Sequence, residues 1–490
     1  MMRFILVIII IFSLSNKVHA NYDVNENCKN AWMLLMDLEI EKAKELLAEE
    51  ISHNPENYYA YYLDQTCDAY KLLINSGEVE YEAFIDDYYK KREIMDGKDE
   101  DLPYYLACYS EMELQVGIFN IINGSMFSGL RKAYSAYKNV YRNLELYPDF
   151  KPSLKLDGFF NVAIANMPPF VSWAAAFFGV YGDLDYGFST LNENYISQKD
   201  IRGINAESAL YIILVAKINK TPELVYDFTN SLDSSIYQTF IHSYFRANIA
   251  YRIGKNEEAL KSLQQIDISE NSFADNIYSY MKGKILLRKL DSNAGYYLSR
   301  YLSHLKKREY IKEMNFKLAL FYLINNDTLE YLNHCEIVRN EGKDVQERDR
   351  EAIYDASLDY FPDINLVKAR LLLDGGYFDE FQIALKSFEE NNNGLFAYKL
   401  EYHFLKGRFE ASNANNKVAI SEFKKVIEMG EDSDYYFASE AALRLGTIYE
   451  KMGKPDLAKE YYEKSIKLYK NDYYEYIEDK AVKAYNSVKP

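Results

Sequence analysis

Cysteine, tryptophan, proline and glycine are all sparse in this sequence, at 4, 2, 10 and 21 of 490 residues. Few glycines and prolines leave few obligatory breaks, so long runs are free to stay helical. Four cysteines (Cys28, Cys67, Cys108 and Cys335) are too few for a disulfide framework in a chain of this length. No C-x-x-C and no Cys/His cluster at zinc spacing occurs. The thiols read as buried in helix interfaces, with one bridge among Cys28, Cys67 and Cys108 left open. Positive charge is also short, 57 Lys and Arg against 74 Asp and Glu, a net charge of −17. That argues against an electrostatic nucleic-acid binder, which needs a basic face, and disfavours simple adhesion to anionic lipid.

Chemistry-bearing motifs are missing as well. His53, His242, His304, His334 and His403 include no two spaced as paired ligands, and they read as surface or core residues. No G-x-S-x-G, H-E-x-x-H, P-loop or G-x-G-x-x-G is present. Asp96–Leu102, "DGKDEDL", lacks the alternating oxygen ligands and later glutamate of a calcium loop. The expectation is therefore a chain with no catalytic residue, no cofactor and no metal. Carboxylates are plentiful, so a glycosidase-like pair stays open.

The N-terminus has its own pattern. A short basic start at Arg3 precedes the apolar run Phe4–Leu14, and Val18-His19-Ala20 forms a small-x-small cleavage site. Eleven apolar residues are too few to span a bilayer, so residues 1–20 are expected to be a secretory signal peptide. No cysteine follows the cleavage site directly, which argues against a lipid anchor. The expected location is secreted or periplasmic, in a Gram-negative envelope.

What the sequence does have is helical periodicity in runs of ten to sixteen residues, and 47 tyrosines. Tyrosine brings an apolar body with a polar tip and suits a groove between helices with one wet edge. Ser439–Asp472 is the clearest internal unit, with Leu445-Gly446, Tyr449, Gly453, Ala458 and Tyr462 at small, aromatic and turn positions. It resembles the tetratricopeptide repeat (TPR). The expectation is that Gly446 and Ala458 let two helices approach, that Tyr449 and Tyr462 fill the space between neighbouring hairpins, and that Gly453 ends the first helix in a left-handed turn. The same register recurs at Gly407, Ala419, Phe423 and Val426, and again at Ala247, Gly254, Ala259 and Leu263. Fainter copies carry Gly283 with Ala294-Gly295, a hairpin over Leu366–Glu390, and Ala31, Ala43, Leu47 and Pro55. Six hairpins in shared register predict an all-α fold, a helix-turn-helix (TPR-like) solenoid or superhelix.

One stretch departs from this pattern. Phe159–Tyr181 is long and apolar enough to suggest a membrane span, but it holds Asn161, Asn166 and Pro168-Pro169. Proline pairs break helices and asparagine is costly in hydrocarbon. The reading is a helix from about Lys155 to Met167, a break at Pro168-Pro169, and a second helix from about Val171 to Val180, both buried. Gly158, Pro168, Gly179, Gly182, Asp183, Gly187 and Leu191 stand at the places of a signature of the inclusion-body-clearance branch of TPR proteins, which this region resembles. Val180-Tyr181 and Phe188 depart from it. The resemblance implies a helical scaffold with no catalytic residues, and the branch's eukaryotic role is not expected in an exported protein. Gly179, Gly182 and Gly187 are expected to set tight turns, with Asp183 capping a helix.

The chain then divides into residues 1–20, a signal peptide; 21–232, an atypical helical-repeat region containing the apolar hairpin 155–191; and 233–490, a superhelix with its clearest repeats at 240–273, 400–433 and 439–472. First helices of TPR hairpins face the superhelix axis, so partner-binding residues are expected at Tyr244, Asn248, Tyr251, Arg252, Phe404, Arg408, Glu440 and Thr447. Tyr244 replaces the lysine of the carboxylate clamp that chaperone-binding TPRs use, which disfavours a chaperone adaptor. The expected function is a non-catalytic scaffold or adaptor for protein partners in the periplasm or envelope. The alternatives are a membrane-associated subunit of an envelope complex and an α-helical glycan-processing enzyme.

Overall fold

The computed structural model describes residues 22–488 except 75–77, 98–99, 168–175, 177–178, 219–221, 233–235, 237, 265, 267, 269–272, 305–309, 345, 392–393 and 471. Among the described residues the fold is all-α, with no β-strand. Two compact units divide the chain: one takes the residues up to Ile249 with 265–274, the other takes 250–264 and 275 onward.

The first unit holds α1 (Glu26–Met36), α2 (Ile40–His53), α3 (Tyr58–Ile74), α4 (Glu78–Met95), α5 (Pro103–Ile122), α6 (Met126–Leu146), α7 (Ser153–Ala165), α8 (Leu184–Gln198), α9 (Ile204–Ile218) and α10 (Pro222–Asn230). Helix α11 (Phe240–Arg252) starts in this set of residues and ends in the second. The second unit continues with α12 (Asn256–Gln264), α13 (Phe273–Arg288), α14 (Ala294–His304), α15 (Ile311–Ile324), α16 (Thr328–Asn340), α17 (Glu347–Ala356), α18 (Ile364–Gly375) and α19 (Phe378–Glu390). It ends with α20 (Phe396–Ser412), α21 (Asn416–Gly430), α22 (Phe437–Lys451), α23 (Pro455–Leu468), a 3-10 turn at Asp472–Tyr474 and α24 (Glu475–Ser487).

Three hairpins of the second unit share one packing device. A glycine in the first helix meets a large side chain fifteen or sixteen residues later in the second. A Cβ on Gly446 would lie 2.4 Å from the Tyr462 ring, one on Gly407 2.8 Å from the Phe423 ring, and one on Gly283 2.9 Å from Leu298. Only hydrogen fits there, so glycine is tolerated in mid-helix despite its entropic cost. Tyr462 therefore packs on Gly446 of its own hairpin and donates a hydrogen bond to Glu450 at 2.5 Å. This corrects the expectation that it fills the gap to a neighbouring hairpin. Tyr449 likewise stacks on Tyr461 of its own hairpin at 5.3 Å. Gly453 adopts the left-handed turn, φ 68°, as the repeat register requires. Ser465, where alanine is usual, exchanges two 2.9 Å hydrogen bonds with the backbone and hydroxyl of Ser439, so the buried hydroxyl is satisfied.

In the first unit, α7 matches the helix expected before the proline pair. The expected break at Pro168-Pro169 and most of the second apolar helix lie outside the described residues. Asp183 caps α8, accepting from the Tyr186 amide at 2.9 Å. Of the three glycines expected to set turns, only Gly179 has a left-handed conformation, φ 74°. The other two are present for close approach. A Cβ on Gly182 would lie 2.4 Å from the Ala165 nitrogen, and one on Gly187 2.9 Å from the Gly158 oxygen. All four cysteines are buried free thiols, so the open disulfide is resolved in favour of none. No helix among the described residues is long and apolar enough to cross a membrane.

Candidate functional site

The second unit encloses a cavity of about 390 Å³. Every lining residue that lies on a helix hairpin comes from its first helix: α11, α13, α15, α18, α20 or α22. The paired second helices α12, α14, α16, α19, α21 and α23 contribute none. The unpaired α17 and the C-terminal α24 complete the wall. The spacing follows from helix geometry. Glu401, Phe404, Leu405 and Arg408 form one stripe at i, i+3, i+4 and i+7, and Arg348, Glu351, Ala352 and Asp355 repeat it.

The wall is charged rather than apolar. Eight Arg or Lys and seven Asp or Glu side chains line it, interleaved with Phe316, Phe404, Phe437, Tyr436, Tyr474 and Tyr476. Many charges are matched. Arg408 bonds Asp374 at 2.5 Å, Arg444 bonds Glu440 at 2.5 Å, and Arg348 bonds Glu351 at 2.7 Å. Burial opposes ionisation of Asp374, but the Arg408, Arg288 and Arg370 guanidiniums outweigh it and hold its carboxyl well below the usual range. Four cations differ. Arg252, Arg288, Lys317 and Lys480 line the cavity and have no ion pair with a described residue, and of these Arg288 is held by the Tyr251 carbonyl and ring. Burial, with Arg444 and Arg348 nearby, lowers the Lys480 ammonium below its ordinary value although Glu440 opposes this. With eight cations and seven carboxyls the wall carries a small positive excess inside an acidic protein, and that favours an anionic group entering it.

Two lining carboxyls are shifted the other way. Burial raises Asp355, against the pull of Arg370, and the Tyr474 hydroxyl donates to it at 2.9 Å. Burial also raises Glu401, with Arg370 opposing and Asp355 adding, and its Oε1 stands 3.7 Å from Arg370 Nε. Aromatic rings pave the wall beside them. Tyr436 and Tyr474 stack at 4.1 Å, and Tyr354 meets Tyr474 edge-on at 5.3 Å. Tyr474 reaches this position because the 3-10 turn at Asp472–Tyr474 packs against α17, with Arg350 bonded to Glu475 at 3.0 Å.

Of the eight residues singled out from the sequence, Arg252, Phe404, Arg408 and Glu440 meet in this cavity. Phe404 is buried under the Arg408 and Arg444 guanidiniums, at 5.9 and 5.6 Å. Tyr251 lies outside the lining, where the Arg288 guanidinium covers its ring at 3.4 Å and bonds its carbonyl at 2.5 Å. Thr447 is exposed and donates to the Leu443 carbonyl at 3.1 Å, also outside the lining. Tyr244 and Asn248 are half-buried on α11 within the first unit, where Tyr244 stacks on Phe240 at 6.3 Å. Sequence reasoning missed Arg288, Lys317, Arg370, Asp374, Tyr474 and Lys480. Extending the inward stripe of each first helix would have found the first four. Nothing local marks Tyr474 and Lys480, which arrive by the return of the C-terminus.

Two polar clusters of the first unit are already satisfied. Asp64, Asp68 and Asp87 are close enough to share a cation, but Lys44 and Lys91 already pair with them. His242 is buried, hydrogen-bonded to Thr239 and the Ala206 carbonyl, and burial lowers it to about 4, so it stays neutral.

The tetratricopeptide repeat family model matches residues 439–472, which are α22, α23 and the residues after them. No curated protein matches the sequence. Similar solved structures include the TPR domain of P58(IPK), 12% identical over 87% of this chain and 97% of that one, with a TM-score of 0.21. Others are a human IFIT1 dimer with m7Gppp-AAAA, 13% identical over 91% and 96% with a TM-score of 0.27, and the APC/C hetero-tetramer Cut9-Hcn1, 11% identical over 94% and 90% with a TM-score of 0.23. Together with the repeating hairpins, the family match makes this a helix-turn-helix repeat protein that carries a tetratricopeptide repeat.

Proposed function

We propose that the protein is a non-catalytic TPR scaffold that binds a protein partner in the periplasm or cell envelope through the charged cavity of its second unit. One observation carries the reading: the hairpins turn only their first helices to the cavity, and its wall leaves Arg252, Lys317 and Lys480 without ion pairs. A partner segment with carboxylates would complete those charges, and the tyrosine and phenylalanine rings supply contact area at low entropic cost. The signal-peptide pattern of residues 1–20 supports the exported location.

A glycan-processing enzyme has one observation in its favour, the paired raised carboxyls of Asp355 and Glu401. Arg370 lies between them in charge terms and Tyr474 already occupies Asp355, which suits a structural network better than a free acid and base.

The test is a mild-detergent pull-down of the tagged protein from its own cell envelope, with mass spectrometry. The expected result is a partner in near-stoichiometric amount whose recovery falls about tenfold or more when Arg252, Lys317 and Lys480 are all changed to alanine. None of the three is ion-paired, so the variant should melt like the parent. Recovery of no partner at any salt concentration would sink the scaffold reading. Glycan turnover lost in Asp355→Asn would move the function to the enzyme.

A further inference from the structure

The α5–α6 hairpin of the first unit ends in an apolar tip that no described residue covers. Phe127 is 91% exposed, Ile122 61% and Met126 51%, and Ile118, Leu130 and Tyr134 continue the patch along both helices. The tip is braced from within, so this exposure is not fraying. A Cβ on Gly129 would lie 2.6 Å from the Gly117 oxygen, which puts the two helices in backbone contact. Asn120 donates to Ser128 at 3.0 Å and accepts from the Tyr81 hydroxyl at 2.7 Å. Contiguous apolar surface on a well-packed hairpin marks a contact site.

Charge identifies what it contacts. Residues 114–144 contain no Asp or Glu, in a chain with 74 of them, and they carry Arg131, Lys132, Lys138 and Arg142. Lys132 turns inward to Glu113 at 2.7 Å, and Arg142 bonds Asp101. Arg131 and Lys138 are exposed, the latter 5.2 Å from the Tyr134 ring. The order along α6 is apolar tip, then Arg131 about 6 Å behind Phe127, then Lys138 about 16 Å behind, at about 1.5 Å per residue. A side chain buried at the acyl boundary places the next turn at the headgroups, which is where arginine and tyrosine are favoured. The exposed apolar side chains sit at the turn between the two helices, an end and not a groove, which suits a deformable surface better than a folded partner. Glu80 and Glu82 at the start of α4 are exposed beside it, so attraction is confined to the α6 side.

We propose that the α5–α6 tip docks on a lipid bilayer bearing anionic headgroups, inserting Ile122, Met126 and Phe127 while Arg131 and Lys138 meet the headgroups. The net charge of −17 opposes adhesion of the whole chain, so insertion and the local basic stripe must act together. This site is separate from the cavity and stands without it.

The test is flotation of the full chain with two vesicles, pure phosphatidylcholine and equal parts phosphatidylcholine and phosphatidylglycerol. The expected result is stronger binding to the mixed vesicle. Met126→Ser with Phe127→Ser should lower partition about tenfold or more on both. Arg131→Gln with Lys138→Gln should lower it on the mixed vesicle alone. Melting curves should match the parent, because all four side chains are exposed. No flotation with either vesicle, or flotation unchanged in both variants, would overturn the proposal. So would an oligomer in solution that the serine variant dissolves while vesicles remain unbound, which would assign the tip to a protein contact.

Discussion

Lys155→Met is expected to cost the first unit about 3–5 kcal/mol of stability. Lys155 lies between two buried carboxylates. It bonds Glu111 at 2.8 Å and also contacts Glu207, and each of the three residues is at most 9% exposed. Tyr62 donates to Glu207 at 3.1 Å and Tyr211 to Glu111 at 2.6 Å, so the trio is closed by hydroxyls. Burial works against the Lys155 ammonium, yet the two carboxylates outweigh it and raise it above its ordinary value. Removing it leaves two like charges in low dielectric with only hydroxyls to hold them. Methionine keeps the volume, so the loss is electrostatic and not a cavity effect.

The variant should also become pH-sensitive in a known direction. Burial already raises the Glu207 carboxyl in the parent, with Lys155 opposing. A carboxyl raised in the folded state binds more protons folded than unfolded, so stability falls as pH rises across that interval. Without Lys155 the interval widens upward. Lowering the pH from neutral towards the ordinary carboxylate range should then restore part of the loss, and should change the parent less. Tryptophan fluorescence during urea unfolding reads this unit, because Trp32 is buried in α1. A cost under about 1 kcal/mol would mean that the three groups are not charged together.

Phe423→Ala should cost the second unit about 3–5 kcal/mol. Phe423 is fully buried, and its ring covers Gly407 of the facing helix and lies 6.1 Å from Phe404. Alanine removes the ring from a place where the partner position is already a glycine, so Gly407 has no side chain with which to fill the void. Leu400, Val426 and Leu445 of the same buried cluster lose contacts with it. Far-UV circular dichroism through urea unfolding measures the shift. A loss near about 1 kcal/mol would show that the hairpins can collapse onto the gap. The two variants also ask whether the glycine-and-ring register and the buried charge trio are separate sources of stability.

How much of this was legible in the sequence depends on the range of the interaction. The helices, the hairpins and the left-handed Gly453 are local and follow from periodicity and turn chemistry. The small position at Gly446 was legible as small, but which ring fills it was not, because Tyr449, Tyr461 and Tyr462 are all suitably spaced. Half of the expected binding residues line the cavity because inward stripes repeat from helix to helix. Thr447 followed the same register, yet it lies outside the cavity lining. Arg370 and Asp374 look like solvated charges on a helix, and only their neighbours on α20 and α17 turn them inward. The trio of Lys155, Glu111 and Glu207 joins helices far apart in sequence, and no spacing rule links them. Tyr474 and Lys480 depend on the C-terminus returning to α17, which is a tertiary event.

The central claim, that the inner wall of the second unit holds the partner, is tested most directly by photo-crosslinking in the native cell. A photoreactive residue replaces Arg252, which lines the cavity, or Thr447, which is exposed outside it. The account predicts one discrete crosslinked partner from position 252 and none from position 447. Capture from position 447 alone, or no capture from either, would contradict it.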